Sequence, residues 1–249
     1  MTSQVILEVK NISKHFGGVN AVNDCSFEVK QGKITALIGP NGSGKSTLFN
    51  IISGVLDSDK GKIVFAGKDI EKLNPEKRAG RGMSRVFQQP RLFGNLTVLQ
   101  NLLLALNEND TKFWTSFLGL NGDKGNEKKA ISALEIVGME QYKNKTASEL
   151  SFGQKRLVEL ARAMLKKHLL LLLDEPVGGV TPPLRKKIAS LLTQRQKEGG
   201  TILLVEHDMN FVLGIADEVF VLDEGKIIAH GKPSEIRKNK KVREAYLGD

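Results

Sequence analysis

A glycine-rich run with one lysine and two hydroxyl side chains is the most chemically suggestive feature of the chain. It consists of Gly39, Pro40, Asn41, Gly42, Ser43, Gly44, Lys45, Ser46 and Thr47, and it matches the P-loop pattern. Glycines let backbone N–H groups close around a phosphate because no Cβ stands in the way. A following helix adds its own N-terminal donors. Lys45 would bring a full charge to the β- and γ-phosphates, and the Ser46 hydroxyl is suited to ligate Mg²⁺. The run therefore predicts a nucleotide site.

Two carboxylates follow an apolar run in the second half of the chain. Residues 169–173 are all leucine, and Asp174 and Glu175 come directly after them. A continuous apolar run is typical of a strand buried at the centre of a parallel sheet, and such sheets bind ligands beyond the carboxyl ends of their strands. We expect Asp174 to hold Mg²⁺, directly or through water, and Glu175 to polarise the attacking water. A surface acidic turn is the alternative, which the upstream P-loop disfavours.

Strands and a helix around the P-loop follow from the spacing of apolar side chains. Alternating apolar residues in 5–9 and 27–29 predict antiparallel strands. Residues 33–38 predict a strand that leads into the glycine-rich run, and residues 46–54 have helical spacing that ends at Gly54, a plausible cap. This order places the P-loop between a strand and a helix, where its chemistry requires it to be.

The middle of the chain has a different pattern. From residue 97 to residue 164 the apolar spacing is mostly helical, with a loop rich in Gly, Asn and Lys at 118–126. Strand and helix patterns alternate again afterwards and end in a strand pair, 219–222 and 226–229. We predict an α/β fold with a P-loop nucleoside triphosphatase (NTPase) core, an antiparallel β subdomain and an inserted helical subdomain. The whole chain, 1–249, would be one domain with its core in 1–89 and 166–249 and the helical subdomain in 90–165.

The segment Leu150-Ser151-Phe152-Gly153-Gln154 distinguishes this chain from other P-loop proteins. It resembles the LSGGQ signature of ATP-binding cassette (ABC) ATPases, with Phe152 where the first glycine usually stands. It precedes a helical pattern and so presents backbone donors at a helix N-terminus. In that family the signature contacts the γ-phosphate held by the opposite subunit. The resemblance therefore implies that Ser151, Phe152, Gly153 and Gln154 bind ATP in trans, and that two subunits dimerise to complete each site.

Other residues match further motifs of the ABC family. Gln88 resembles the Q-loop glutamine, which senses Mg²⁺ and the attacking water; Gln89 is the less favoured choice, because the family glutamine directly follows the phenylalanine. His207 resembles the H-loop histidine that contacts the γ-phosphate. Phe16 resembles the aromatic residue that stacks on adenine, although a core phenylalanine is the alternative. Thr181 stands where the D-loop usually has an acidic or amide residue, which leaves the communication between the two sites open.

Within the family, the chain is similar to the ATPases of branched-chain amino acid importers. The matching segments are Arg85-Val86-Phe87-Gln88 with Arg91-Leu92-Phe93, then Glu206-His207-Asp208-Met209, and the end Ala245-Tyr246-Leu247-Gly248. This resemblance implies an ATPase that uses ATP and Mg²⁺ to power import of these amino acids. The implied partners are a second ABC ATPase subunit, either identical or paralogous, two transmembrane permease subunits and, indirectly, a substrate-binding protein. The implied location is the cytoplasmic face of the inner membrane, as a peripheral protein.

Composition is compatible with this reading. The chain has 249 residues, 40% of them hydrophobic and 26% charged, which is ordinary for a globular protein. A single cysteine, Cys25, excludes an internal disulfide and fits a reducing compartment. The N-terminus lacks the pattern of a signal peptide, and the longest apolar run is too short to span a bilayer.

The formal net charge is +9, which by itself is compatible with nucleic acid, an anionic membrane or no specific partner. The densest basic cluster lacks interleaved aromatic residues, so we expect no nucleic-acid partner. A solvated helix face is the favoured interpretation, and an anionic lipid surface is the functional alternative. The cluster comprises Lys232, Arg237, Lys238, Lys240, Lys241 and Arg243.

Other functions stay open at this level. The ATPase of a urea or lipid/lipopolysaccharide transporter would carry a similar C-terminal tail. A non-transport ABC ATPase is a further alternative, although translation factors of this type usually carry two cassettes and repair ATPases a long coiled coil. A module that binds ATP without hydrolysing it is disfavoured by the presence of Glu175 and His207. The transported molecule would contact other chains, so fold analogy alone supports the amino-acid assignment.

Overall fold

The computed structural model describes residues 4–106 and 124–247. Most of the predicted loop at 118–126, and Gly248 of the predicted family tail, lie outside these described residues. Two compact units are present. The first consists of residues 4–85, 168–176 and 189–247, and the second of residues 86–106, 124–167 and 177–188. The predicted subdomain boundaries at 90 and 165 stay a prediction.

Ten strands are described: β1 Val5–Phe16, β2 Val19–Lys30, β3 Ile34–Ile38, β4 Lys60–Phe65, β5 Lys68–Asp69, β6 Met83–Val86, β7 Leu170–Asp174, β8 Ile202–Glu206, β9 Glu218–Asp223 and β10 Lys226–Gly231. The α-helices in the same ranges are α1 Lys45–Ser53, α2 Pro75–Gly80, α3 Val98–Leu106, α4 Lys124–Ile136, α5 Phe152–Leu165, α6 Pro182–Lys197, α7 Met209–Ile215, α8 Pro233–Ile236 and α9 Lys240–Leu247. Two short 3₁₀ helices are Glu140–Tyr142 and Ala147–Glu149.

A four-stranded antiparallel sheet forms from the N-terminal part of the chain. Its strand order is β2-β1-β4-β5. Leu7 lies opposite Val29 and Val9 opposite Phe27 across the first pair, and all four side chains are buried. The predicted antiparallel strands are confirmed, and their alternation arises because one face of this sheet is buried.

A six-stranded sheet of order β10-β9-β3-β8-β7-β6 carries the P-loop strand. Strand β3 lies parallel to both β8 and β9, β7 lies parallel to β8, and the β9–β10 hairpin is antiparallel. Every residue of β3, β7 and β8 is buried, as continuous apolar runs indicate.

The predicted leucine strand needs two corrections. It lies second from the edge of the sheet, not at its centre. Its first leucine, Leu169, precedes β7 and is 45% exposed, whereas Asp174 is the last residue of the strand. The pairing with β8 causes the shift, because it begins opposite Ile202 and continues until Asp174 lies opposite Val205.

Helix α1 packs into the main hydrophobic core of the first unit. Its Leu48, Phe49, Ile51 and Ile52 are buried in a cluster that includes residues of both sheets. The helix ends at Gly54, which has φ 78° and donates its N–H to Ile51 O. This left-handed cap is the one predicted from the sequence.

The second unit is helical in its described part, as predicted, and contains α3, α4 and α5. Val98 and Leu102 of α3, Ala130 and Leu134 of α4, and Leu157 of α5 are buried. Within residues 4–106 and 124–247, no helix has both the length and the apolar character needed to cross a bilayer.

Candidate nucleotide-binding site

The glycine-rich run connects β3 to α1, so the predicted strand–loop–helix arrangement is confirmed. Two of its glycines leave no space for a side chain. A Cβ at Gly39 would lie 2.0 Å from Leu222 O, and one at Gly44 would lie 2.1 Å from Ala21 O. Gly44 also has φ 100°, a conformation that disfavours other residues. The loop can therefore adopt this path only with glycine at these positions.

Lys45 begins α1 and is buried, with 6% of its surface exposed. Its Nζ donates to Gly39 O at 2.8 Å and to Pro40 O at 2.7 Å, so the ammonium lies across the loop. Burial lowers the pKa of Lys45, and the nearby Glu175 carboxylate opposes that shift. Ser46 is exposed at the next position. A cation and a hydroxyl thus lie side by side at the N-terminus of a helix, where a phosphate binds favourably.

Asp174 ends β7 in the same unit and is nearly buried. Its Oδ2 accepts a hydrogen bond from Arg85 Nη2 at 2.7 Å, and the exposed fractions of the Arg85 and Asp174 side chains are 10% and 11%. Glu175 follows with φ 45°, and its N–H donates to Val205 O at 3.0 Å. A left-handed backbone at a residue with a side chain costs about 1–3 kcal/mol and persists only where the surrounding structure holds it, in turns or at functional sites.

His207 directly follows β8 and is half exposed. Its Nδ1 lies 3.7 Å from Glu175 Oε1. The turn that carries it is held by Glu206, which is fully buried and whose Oε2 accepts the N–H of His207 at 3.1 Å and of Asp208 at 3.4 Å. Asp208 caps α7 by accepting the N–H of Phe211. The structure therefore brings the predicted base and the predicted histidine together.

The oxygen donors fit magnesium that arrives with a nucleotide. Across the described ranges, no group of three or more His, Cys, Asp or Glu side chains could hold a metal ion. Asp174 contributes one carboxylate and Ser46 one hydroxyl. Magnesium in phosphoryl-transfer sites is held in this manner, by one or two protein oxygens together with phosphate oxygens and water.

Phe16 lies at the end of β1, next to the Gly17-Gly18 turn, and 49% of its surface is exposed. Lys14 Nζ is 5.7 Å from the centroid of its ring. Asp59 holds this end of the hairpin, because its carboxylate accepts from Lys14 Nζ and from the backbone N–H of His15, both at 2.7 Å. An exposed ring face is what stacking on a base requires.

The signature residues form the start of α5 in the second unit. Ser151 caps the helix: its Oγ accepts from Gln154 N at 3.3 Å, and its own N–H donates to Gln154 Oε1 at 2.9 Å. Phe152 is 38% exposed and lies beside Gly179, where an added Cβ would be 3.4 Å from its ring. The capping box orients the first turn of α5, and the Phe152 ring lies against Gly179, two residues before Thr181.

Gln88 also belongs to the second unit, where its backbone is held by a buried ion pair. Arg156 is fully buried and donates to Phe87 O at 2.6 Å, to Gln88 O, and to Glu159 Oε2 at 3.0 Å. Glu159 Oε1 accepts from Arg91 N at 3.0 Å. Helix α5, which begins with the signature residues, is therefore hydrogen-bonded through Arg156 to the backbone of Phe87 and Gln88.

The predicted site residues divide between the two units. The P-loop, Asp174, Glu175, His207 and Phe16 belong to the first, whereas Gln88 and residues 151–154 belong to the second. Arg85 and Glu206 were missed as functional candidates. For Glu206 the available signal was a charged residue at the end of an apolar strand, which needs a partner when it is buried; Arg85 lies inside the mixed strand β6 and gave no such signal.

Comparison with known proteins identifies the family. A family model for ABC transporters matches residues 22–178, and one for a branched-chain amino acid ATP-binding cassette transporter matches residues 226–249. The chain is 40% identical over 245 residues to a probable branched-chain amino acid transport ATP-binding protein, LivG, of Archaeoglobus fulgidus, with 98% of this chain and 95% of that protein covered. It is 38% identical over 253 residues to the high-affinity LivG of Salmonella typhimurium, with 99% of both covered.

A solved structure agrees with these relatives. The crystal structure of the ADP conformation of an ATP-binding cassette of an ABC transporter superposes with a TM-score of 0.86 at 35% identity, covering 99% of this chain and 100% of that one. A nucleotide-free cassette gives a TM-score of 0.85 at 34% identity, with 99% and 100% covered. The chain therefore belongs to the ABC transporter family, as an ATP-hydrolysing cassette similar to the branched-chain amino acid transport ATP-binding proteins.

Proposed function

We propose that the chain is one of two ATPase subunits that energise the import of branched-chain amino acids through a membrane transporter. The observation that carries this proposal is the pairing, within one unit, of a glycine-restricted phosphate loop with Asp174 and Glu175 at the end of β7. The amino-acid substrate is supported by the names of the full-length relatives and by the family model matched at residues 226–249.

Nucleotide binding is assigned to residues 39–47. Their backbone N–H groups and the N-terminus of α1 surround the phosphates. Lys45 Nζ has three donors, of which two reach Gly39 O and Pro40 O, so the third is available to a phosphate oxygen. Phe16 stacks on the adenine through its exposed face. The lowered pKa of Lys45 arises from burial, and a phosphate beside it would favour the charged form.

Ser46 Oγ and Asp174 are the residues assigned to hold Mg²⁺, and the match of Gln88 to the Q-loop glutamine implies a further ligand. When bound, Mg²⁺ neutralises charge on the β- and γ-phosphates. Asp174 accepts the Arg85 hydrogen bond through Oδ2, so its other oxygen can face the metal or its water.

Glu175 orients and polarises the attacking water, and His207 contacts the γ-phosphate. Their side chains lie 3.7 Å apart between Nδ1 and Oε1, close enough for both to act on the same phosphoryl group. The left-handed backbone of Glu175 directs its side chain away from the path that the strand would otherwise give it.

The second half of each ATP site comes from another ABC ATPase subunit, either a second copy or a paralogue. Its residues 151–154 present the start of α5 to the γ-phosphate in trans, with Phe152 in place of the usual glycine. The ordered first turn of α5 supports this role, because a capped helix N-terminus keeps its remaining N–H groups aligned toward an anion.

The proposed partners are two transmembrane permease subunits, with a substrate-binding protein acting through them, at the cytoplasmic face of the inner membrane. No nucleic-acid partner is included. The exposed basic cluster near the C-terminus lies on α8, α9 and their flanks, and a solvated surface accounts for it.

Co-purification of the tagged chain from its native membranes, followed by mass spectrometry, tests the proposal. Two permeases should accompany the chain, and leucine uptake by the reconstituted complex should require ATP. A complex built with Glu175→Gln is the matched control: it should contain the same permeases and fail to transport. Recovery of a nucleic acid or a purely soluble assembly would contradict the transport role, and permeases that carry urea or lipid would contradict the substrate.

A further inference from the structure

Arg85 connects the end of one strand to the helix that follows the phosphate loop. It lies in β6, the neighbour of β7 in the sheet. Its Nη2 donates to Asp174 Oδ2 at 2.7 Å, while its Nη1 donates to Asn50 Oδ1 at 2.8 Å and to Ser53 Oγ at 2.6 Å. Both acceptors of Nη1 belong to α1. A single planar group thus fixes the carboxylate of Asp174 against α1.

The helix face that Arg85 contacts is the face that carries Ser46. Asn50 and Ser53 follow Ser46 at i+4 and i+7 in α1, and residues with this spacing lie above one another on a helix. The fork of a guanidinium sets the direction of two hydrogen bonds at once, which an ammonium cannot do. The arginine therefore fixes the distance and the orientation between the two oxygen donors assigned to magnesium.

The pair is too well buried to be a solvated surface contact. The exposed fractions of the Arg85 and Asp174 side chains are 10% and 11%, and the Arg85 guanidinium carbon lies 5.0 Å from the centroid of the Phe49 ring. Within the described residues, Arg85 donates its hydrogen bond to Oδ2 of the Asp174 carboxylate. Oδ1 is thereby directed away from the guanidinium, and the carboxylate cannot rotate without breaking a buried ion pair.

We propose that Arg85 is a positioning residue for Asp174, and that it sets how strongly Mg²⁺ and nucleotide bind together. This inference rests on the proposed role of Asp174 in holding Mg²⁺. Partners that orient a metal ligand from behind typically change metal affinity by roughly 10- to 100-fold when they are removed. Arg85 acts through the carboxylate and does not touch the nucleotide.

The test measures the affinity for a fluorescent ATP analogue with Mg²⁺ and with EDTA, and takes the ratio of the two. This ratio is obtained within each variant, so a loss of folded protein cancels. Asp174→Asn should reduce the ratio, which tests the proposed function. Arg85→Gln should reduce it by roughly 10-fold, with little change in the affinity measured in EDTA.

Arg78→Gln is the matched control. Arg78 is 2% exposed and donates through Nη1 to Ile51 O and Ile52 O of the same helix, both at 2.7 Å, and within the described ranges its hydrogen bonds reach no residue assigned to the metal. Its loss should lower the melting temperature and leave the ratio unchanged. Arg85→Lys retains the charge without the fork of the guanidinium. Its melting temperature should therefore be higher than that of Arg85→Gln, while its Mg²⁺/EDTA affinity ratio stays as low.

The possible outcomes distinguish the inference about Arg85 from the proposed role of Asp174. An unchanged or increased ratio in Arg85→Gln would overturn the inference while Asp174→Asn still supports the proposed function. An equal fall in Arg78→Gln would show that any damage to α1 has this effect and would overturn it too. An unchanged ratio in Asp174→Asn would remove the role of Asp174, and the inference would fall with it.

Discussion

At the scale of single residues, Glu175 combines a strained backbone with a position beside His207. Its φ of 45° and the 3.7 Å separation from His207 Nδ1 are expected of a group whose placement is set by the chemistry. Glu175→Gln keeps the shape and removes the charge. We expect ATP binding to be retained and turnover to fall by about 10²-fold or more, measured as phosphate release at saturating ATP.

Glu224 provides the control for this substitution. It has nearly the same backbone conformation, with φ 43°, but it is exposed in the β9–β10 turn and has no assigned role. Glu224→Gln should leave turnover unchanged. Normal turnover in Glu175→Gln would remove Glu175 from the mechanism, and an equal loss in both variants would attribute the effect to the backbone conformation.

At the scale of elements, the conformation of the phosphate loop requires glycine where its backbone approaches β2 closely. At Gly44, with φ 100°, a Cβ would meet Ala21 O at 2.1 Å, whereas at Gly42, with φ 82°, nothing lies within 4 Å. Gly42→Ala should cost about 1–2 kcal/mol, from left-handed strain alone. Gly44→Ala adds a backbone collision, so we expect a larger loss of unfolding free energy.

Urea titration of both variants, together with their affinity for ATP, tests this difference. Because the carbonyl of Ala21 belongs to β2 and cannot move without disturbing the hairpin, Gly44→Ala should also lose nucleotide binding. Equal unfolding free energies for the two variants would show that the close contact is relieved by a shift of the loop.

The charged carboxylate of Asp59 stabilises the β1–β2 hairpin near Phe16. The hydrogen bond from Lys14, then those from the backbone and ring of His15, lower the pKa of Asp59 from 3.8 to about 2. A depressed pKa means that the stabilising contribution is fully present above pH 3.8 and is lost as the pH falls through the folded value. Asp59→Asn should therefore be less stable than the parent at neutral pH, and the difference should shrink between about pH 4 and pH 2.

Urea midpoints measured across this range for Asp59→Asn and for Lys14→Met check the sign. Lys14→Met removes the largest cause of the shift, so the decline of stability in acid should start near the same pH as in the parent but be smaller and end at a higher pH. A difference between parent and Asp59→Asn that is constant with pH would contradict the assignment.

The elements that could be predicted from the sequence are those with a local signal. The P-loop, the cap at Gly54 and the buried leucine strand follow from residue type and spacing alone. The position of β7 next to the sheet edge could not be predicted, because strand order depends on contacts between distant segments. In the sequence, Arg85 was only part of a segment that resembles the family. Its hydrogen bonds to Asp174 and to α1 could not be predicted, because they join three segments that are distant in the chain.

At the scale of the whole molecule, one chain is proposed to hold only half of each ATP site. Lys45→Ala removes the phosphate-binding cation of a subunit, and Ser151→Ala removes the hydroxyl at the start of its signature helix. In a mixed dimer, the intact P-loop of the Ser151→Ala chain faces the intact signature of the Lys45→Ala chain. We expect each variant alone to be nearly inactive and their mixture to regain ATP hydrolysis, with a maximum at equal amounts.

A second mixture controls for this complementation. Glu175 and Lys45 belong to the same half-site, so mixing Lys45→Ala with Glu175→Gln leaves every P-loop side defective and should restore nothing. Ser151→Ala also removes the cap of α5, at a cost of about 1 kcal/mol, so its melting temperature is measured alongside. Recovery in the first mixture and not in the second requires a site shared between subunits in the proposed arrangement. Hydrolysis that equals the sum of the separate variants in both mixtures would mean that each chain holds a complete site by itself.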